Sequence, residues 1–403
     1  MTVIRSNSIS GINSITAQSA SLNFYDTSGN TLSIGANVTG NVTGNLTGTA
    51  STATAAATAY GISGSPTLSG ITSVSTTNLT VNGNAYPSAG PLSNRNKIIN
   101  GNFDVWQRGT SFTSTVSGTS AYTADRWKAG GGTSTTVSRQ TFTLGQTDVP
   151  GEPTYYAQWA ITNNSQNYEF QQRIEDVRTL AGQKATISFY ARRTTGSITV
   201  GVRTVQYFGT GGSPSSSVII SAGTPSLTTS WQKFTYTVDI GSVSGKTLGS
   251  NNDHSLWLGF QVSDTNTGTI EIAQFQVEAG SVATPFEHRS YGDELARCQR
   301  YYQHFATDTA NAVYLGMGIA SGSTSARMFM PISVAMRTTP SITANGASAD
   351  DQIDSTYALS SPSVIGSTAS TVRVQFTASG MTGGRPIQLQ VGIGETITLS
   401  SEL

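Results

Sequence analysis

A single cysteine, Cys298, in 403 residues excludes any intrachain disulfide, so stability has to come from packing or from assembly. Charge is scarce too: Asp, Glu, Lys and Arg make up 11% of the chain, against about a quarter in ordinary soluble proteins. The 22 basic residues balance 22 acidic ones, which excludes the electrostatic footprint of a nucleic-acid binder and the basic face of a protein drawn to anionic membranes. No apolar run reaches the length of a membrane span or a signal-peptide core. Neither nucleic acid nor membrane insertion is therefore expected, and synthesis in a cytoplasm with release by lysis is. The three histidines, His254, His288 and His304, lack metal-ligand spacing, and serine is too abundant to support a catalytic triad.

What the chain does contain is Gly (43 residues), Ser, Thr and Asn, with 15 Tyr and 14 Phe. This mixture suits many short strands joined by turns. Residues 1–90 are extreme, with Arg5 and Asp26 as their only charged side chains. Three tetrapeptides stand there in tandem: Asn37-Val38-Thr39-Gly40, Asn41-Val42-Thr43-Gly44 and Asn45-Leu46-Thr47-Gly48. A lone chain of this kind cannot bury enough apolar surface to offset its ordering entropy. Winding identical chains together solves the problem, with the sparse Val, Leu and Ile on the axis and Thr and Asn outward. Gly at every fourth position excludes collagen, and full extension caps the shaft at roughly 300 Å. Residues 1–36 then read as an attachment segment, and 37–92 as an intertwined shaft ending in a Pro-rich hinge at Tyr86-Pro87-Ser88-Ala89-Gly90-Pro91.

From Ser93 the composition changes, and alternating runs recur, among them Thr186 to Ala191, Phe234 to Val238, Leu256 to Phe260 and Ile270 to Val277. Residues 93–290 read as an antiparallel jelly-roll sandwich. A helix is predicted over Asp293 to Phe305, inside a 291–305 linker, with Leu295, Tyr302 and Phe305 at spacing that could seat on a shared axis. Residues 306–403 read as a second, smaller β-sandwich. The stretch Gly241 to Thr247 nearly spells a phosphate-binding loop, but has three residues between its glycines where four are needed, and reads as a hairpin loop. The fold class is all-β.

Several strings occur as an ordered set: Asn96 to Gly109, Ala124-Asp125-Arg126-Trp127, Gln172 to Asp176 running into Leu180-Ala181-Gly182-Gln183, Ala273 to Gly280, Glu294 to Tyr302, and Met336 to Pro340. Over residues 93–343 they resemble the tip region of bacteriophage tail fibres, and the low-charge N-terminus is similar to fibres of marine and cyanobacterial phages. The resemblance implies a virion appendage on tail or head, a homotrimer with jelly-roll tip domains, and other virion proteins as partners. An Asn-Gly-x-Phe-acidic opening and a closing amphipathic strand also resemble carbohydrate-binding jelly rolls. In that family an acidic residue after the opening Phe helps hold a structural calcium ion. Asp104 matches that position, while Ala273-Gln274 stands where the second acidic ligand is expected.

Sugar recognition needs flat aromatic faces beside planar amides, guanidiniums or carboxylates. Trp106, Trp127 and Trp257 read as core. Tyr155, Tyr156 and Trp159, near a Pro-flanked loop, and Tyr207 and Phe208, entering a Gly-rich loop, are the binding candidates. An enzyme would need two carboxylates placed across a sugar bond, and the scattered acidic residues form no such pair in sequence. The leading expectation is a fibre that binds a host surface glycan such as lipopolysaccharide. The alternatives are a purely structural fibre and, third, a depolymerase.

Overall fold

The computed structural model describes residue 28, residues 79–81 and 84–86, and residues 93–403 apart from 115–119, 132–133, 164–166, 264–265, 308–310, 352 and 354. The expected attachment segment (1–36) and the shaft and hinge (37–92) lie outside the described residues, save residue 28 and an antiparallel hairpin of β1 (Leu79–Val81) and β2 (Asn84–Tyr86). The predicted all-β fold is present, with antiparallel sheets and one short helix among the described residues.

The jelly roll runs through β3 (Ser111–Ser114), β4 (Ser120–Tyr122), β5 (Trp127–Gly130), β6 (Thr135–Thr141), β7 (Tyr155–Ile161), β8 (Tyr168–Ile174), β9 (Lys184–Arg193), β10 (Ile198–Thr199), β11 (Gly201–Tyr207), β12 (Val218–Gly223), β13 (Ser226–Leu227), β14 (Gln232–Asp239), β15 (Ser255–Val262) and β16 (Gly268–Ala279). A first six-stranded sheet has the order β12-β11-β15-β8-β5-β4, and a second the order β14-β9-β16-β7-β6-β3. The loop Gly241 to Thr247 joins β14 to β15, which belong to different sheets, so it is a crossover and not the hairpin expected. Alternation sets the core: Ala157, Trp159 and Ile161 of β7 and Ala185, Ile187, Phe189 and Ala191 of β9 point inward and are buried. Trp127 packs among Phe103, Phe170 and Phe275 with centroids 4.9–5.2 Å apart. Trp106 and Trp127 are thus core residues, as their sequence context predicts.

Strand β16 breaks strict alternation. Ile270 and Ile272 face the core, and then Phe275 and Val277 do, because a bulge between Ala273 and Gln276 shifts the register against β9. Gln274 absorbs the extra residue in a left-handed conformation (φ 49°). The opening Asn100-Gly101 turn packs onto this bulge, with the Phe275 amide donating to the Gly101 carbonyl at 2.8 Å. A Cβ on Gly101 would stand 2.2 Å from the Phe275 carbonyl oxygen, which accounts for the glycine of that motif.

Helix α1 (Tyr291–Gln299) opens on Ser290, whose side chain accepts from the Asp293 amide, and carries Asp293 and Glu294 in its first turn. It ends earlier than predicted. Tyr302 and Phe305 belong instead to β17 (Tyr302–Ala306), because β25 (Thr396–Ser400) offers them a full ladder. Leu295, Tyr302 and Phe305 therefore share no helix face: Tyr302 lies under the Arg108 guanidinium at 3.5 Å, and Phe305 packs on the C-terminal core.

That C-terminal part adds β18 (Val313–Ala320), β19 (Ser325–Pro331), β20 (Ser341–Asn345), β21 (Ala347–Asp350), β22 (Thr356–Ser367), β23 (Thr371–Thr377) and β24 (Pro386–Val391). The two faces expected of a sandwich join edge to edge here, closing a barrel in the order β18-β19-β23-β22-β21-β24, beside a sheet of β17, β25 and β20.

Jelly roll and barrel meet through a polar junction. Arg126, almost fully buried, pairs with Glu402 and donates to the Arg173 carbonyl at 2.6 Å, with its guanidinium 3.4 Å from the Tyr301 ring centroid. Arg108 bridges Asp125 (3.0 Å) and Glu402 (2.9 Å). Arg300 and the Tyr301 hydroxyl both reach Glu175, and Arg337 donates to the Ser401 carbonyl. Cys298 lies beneath this network. Burial, and then the carboxylates of Asp125 and Glu294, push its thiol well above the ordinary value. The native protein should therefore resist an aqueous thiol reagent and react fully in denaturant, and rapid native labelling would contradict this burial.

Candidate functional site

The outer face of the second sheet carries the side chains that alternate against the core. On β9 these are Thr186, Ser188, Tyr190 and Arg192; on β7 they are Tyr156 and Gln158. Cross-strand pairing sets Glu271 of β16 between Arg192 and Gln158. Its buried carboxylate accepts from Arg192 Nε at 2.5 Å and Gln158 Nε2 at 2.9 Å, so three planar groups are locked side by side.

Above them stand three aromatic rings. Tyr156 starts from β7 and Trp231 from the residue before β14, three strand positions away in the sheet. Backbones that far apart are separated by roughly 14 Å, yet the ring centroids lie 5.4 Å apart at a T-shaped 82°. The two side chains therefore reach toward each other over the central strands, and Phe142 closes on both, at 4.7 and 5.3 Å. The Arg192 guanidinium sits 5.0 Å from the Trp231 ring. Burial, then the Glu271 charge, hold the Tyr156 phenol above its ordinary value.

On the same face lies a cavity of about 370 Å³ lined by Tyr190, Lys233, Gln274, Pro150, Phe286 and His288 among others. The β16 bulge sets Gln274 at its wall, where its amide donates to the Pro150 carbonyl at 2.7 Å. A second cavity, about 570 Å³, shares Gly151 and His288 with the first and is lined by Asn102, Asp104, Glu152 and Tyr155.

The five sequence candidates separate cleanly. Tyr156 joins the arch. Tyr155, stacked with Arg139 at 4.4 Å, borders the second cavity. Trp159 and Phe208 are fully buried, Trp159 because alternation on β7 turns it to the core, so neither ring is open to a ligand. Tyr207 stands on the outer face of the first sheet, 4.8 Å from Trp257, which corrects the reading of Trp257 as core: it is half-buried there. Trp231 and Phe142 were missed as candidates. Parity on β14 carried a usable clue, since Phe234, Tyr236 and Val238 face inward and Trp231 falls on the opposite phase.

Asp104 accepts from Asn102 Nδ2 at 3.0 Å, and burial raises its pKa above the usual carboxylate range. Among the described residues no three His, Cys, Asp or Glu side chains could hold a metal ion together. With Gln274 where a second acid would stand, Asp104 has no acidic partner in the position the calcium-binding pattern expects.

No protein-family model matches the chain, and no curated protein does. Among solved structures, similarity is found to the enzymatically active domain of bacteriophage CBA120 tailspike protein 4, at 12% identity and a TM-score of 0.29 over 46% of this chain. The match spans only 21% of the tailspike chain. The CBM22-1 xylan-binding domain from Paenibacillus barcinonensis is similar at 17% identity and TM-score 0.27, covering 43% of this chain and 94% of that one. A family 11 carbohydrate-binding module from Clostridium thermocellum is similar at 11% identity and TM-score 0.26, over 40% and 91%. Likenesses at TM-scores this low carry no argument about function.

Proposed function

We propose that the chain is a phage virion fibre whose jelly roll binds a host cell-surface glycan, such as lipopolysaccharide, without cleaving it. The observation that carries the reading is the arch of Phe142, Tyr156 and Trp231 over the Arg192–Glu271–Gln158 row, beside a cavity lined by Tyr190 and Lys233. Aromatic rings suit the apolar face of a pyranose, and planar charged and amide groups suit its hydroxyls. The ordered fibre-like motifs and the low-charge N-terminus support the virion part.

Assembly as a homotrimer belongs to the same proposal. Residues 1–90 are sparing in apolar side chains and need identical chains to wind with, and the barrel exposes an apolar row for copies to share: Met317 (65%), opposite Phe329 (55%) across the strands, with Ile319 (46%). Three copies multiply weak single sites into avidity. Sedimentation equilibrium should return three times the 42.1 kDa chain mass, and a monomer would remove this part of the reading.

One observation favours hydrolysis as a second reading: Asp104, whose pKa burial raises, shares a cavity with a second carboxylate, Glu152. Against it, Glu271 on the arch face is held by Arg192 and Gln158, and Glu278 lies roughly 20 Å further along β16. The full chain should be titrated against a panel of bacterial lipopolysaccharides and capsules, with reducing-sugar release followed in the same samples. Saturable binding without release is expected. Release would establish the second reading, and a folded assembly that binds none of the panel would leave a structural fibre.

A further inference from the structure

The outer face of the first sheet has a charge pattern unlike the rest of this sparsely charged chain. Pairing sets Arg173 of β8 opposite Trp257 of β15, and Lys128 of β5 opposite Gln171, one diagonal step from Arg173. The Arg173 guanidinium lies 4.1 Å from the Trp257 ring centroid, and Lys128 Nζ lies 5.5 Å from that of Tyr122. Both cations are half-buried. Glu169, the carboxylate whose charge Lys128 feels, is paired with Arg203. Neither Arg173 nor Lys128 has a salt bridge among the described residues, and Arg173 Nε is buried without a hydrogen-bond partner.

Two half-buried like charges one diagonal apart repel, and each has lost part of its hydration. An anion between them would relieve both. Stacking on Trp257 occupies the face of the guanidinium and Nε is buried, which leaves the two terminal nitrogens to take a carboxylate in bidentate fashion. Lys128 adds a point charge, and Trp257 with Tyr207 adds apolar surface beside it. We propose that this face is a second binding site, separate from the arch, that takes a carboxylate-bearing sugar residue through Arg173 and Lys128. It stands on the first sheet alone and does not depend on what the arch binds.

The site also predicts a pH response. The groups facing Lys128 are Arg173 and Glu169 on β8 and Tyr122 on β4. Burial, then the Arg173 charge, lower its pKa to about 8, with Glu169 opposing. Acid-sugar affinity should fall as the pH rises from about 7 to about 9, where Lys128 loses its proton.

Calorimetry of the full chain with trigalacturonate and 3′-sialyllactose, each against its methyl ester, tests the site. At least one acid should bind and its ester should not. Lys128→Met keeps the stem and removes the charge, so it should weaken that binding by about tenfold without unfolding the protein. Trp231→Ala, on the arch, should leave the preference for acid over ester intact. Equal binding of acid and ester, no binding of either acid, or loss of that preference in Trp231→Ala but not in Lys128→Met would each overturn the proposal. The last outcome would leave the arch as the sole site.

Discussion

Trp231→Ala is expected to lower glycan affinity by about 2 kcal/mol or more, roughly 30-fold for a single site, as removal of a central aromatic anchor does. The ring is one side of the arch and, among the described residues, the only aromatic that reaches Tyr156 from the β14 edge. Its loss also leaves the Arg192 guanidinium without its stacking partner, although Glu271 still holds it. Trp231 is half-buried and outside the core cluster, so the melting temperature should move little. That separation makes the variant informative. Conserved stability with lost binding places the glycan on the arch. Unchanged binding in a folded variant would remove the arch as the site. Avidity in the proposed assembly would mask part of a single-site loss, so the comparison should be made with monovalent oligosaccharides in solution.

The largest stability effect is expected at the junction. Glu402→Ala should cost about 3–5 kcal/mol, because it strips a carboxylate from Arg126, whose side chain is 1% exposed, and from Arg108. A buried guanidinium keeps its charge at any accessible pH, so it cannot escape by deprotonating. Its remaining contacts are the Arg173 carbonyl and the face of Tyr301, which do not neutralise it. Thermal unfolding should shift on the order of 10 °C. The double variant Arg126→Met with Glu402→Leu should recover much of the loss, since removing both charges avoids the stranded one. A Glu402→Ala cost below about 1 kcal/mol would mean that the pair is solvated, and that the two domains are less tightly coupled than the geometry implies.

The junction also explains the ordered motifs. Asn100-Gly101, Asp125-Arg126-Trp127, Glu175, Arg300-Tyr301 and Arg337 belong to one hydrogen-bonded network. They converge where the opening turn, α1 and the last strand lock jelly roll to barrel. Their repeated order along the chain was visible, but their common location was not, because they are spread over most of residues 93–343.

Local pattern determined a good deal by itself. Period-two alternation of Val, Ile, Phe and Tyr between Gly- and Ser-rich turns specifies antiparallel strands, since it is the one periodicity that buries one face of a sheet. One cysteine excluded disulfides, and balanced sparse charge argued against nucleic acid. Parity within a strand even contained the choice between Tyr156 and Trp159, which cannot face the same side of β7. Only the tertiary structure decided the rest. The β16 bulge moved Gln274 off the expected phase, and a ladder with β25 turned the predicted helix end into β17, because cross-strand hydrogen bonding outweighs weak helical propensity. The arch depends on two strands being three places apart in a sheet, and the Arg173–Lys128 pair on a diagonal between β8 and β5. Sheet order is set by the packing of the whole chain, and no residue's neighbours in sequence encode it.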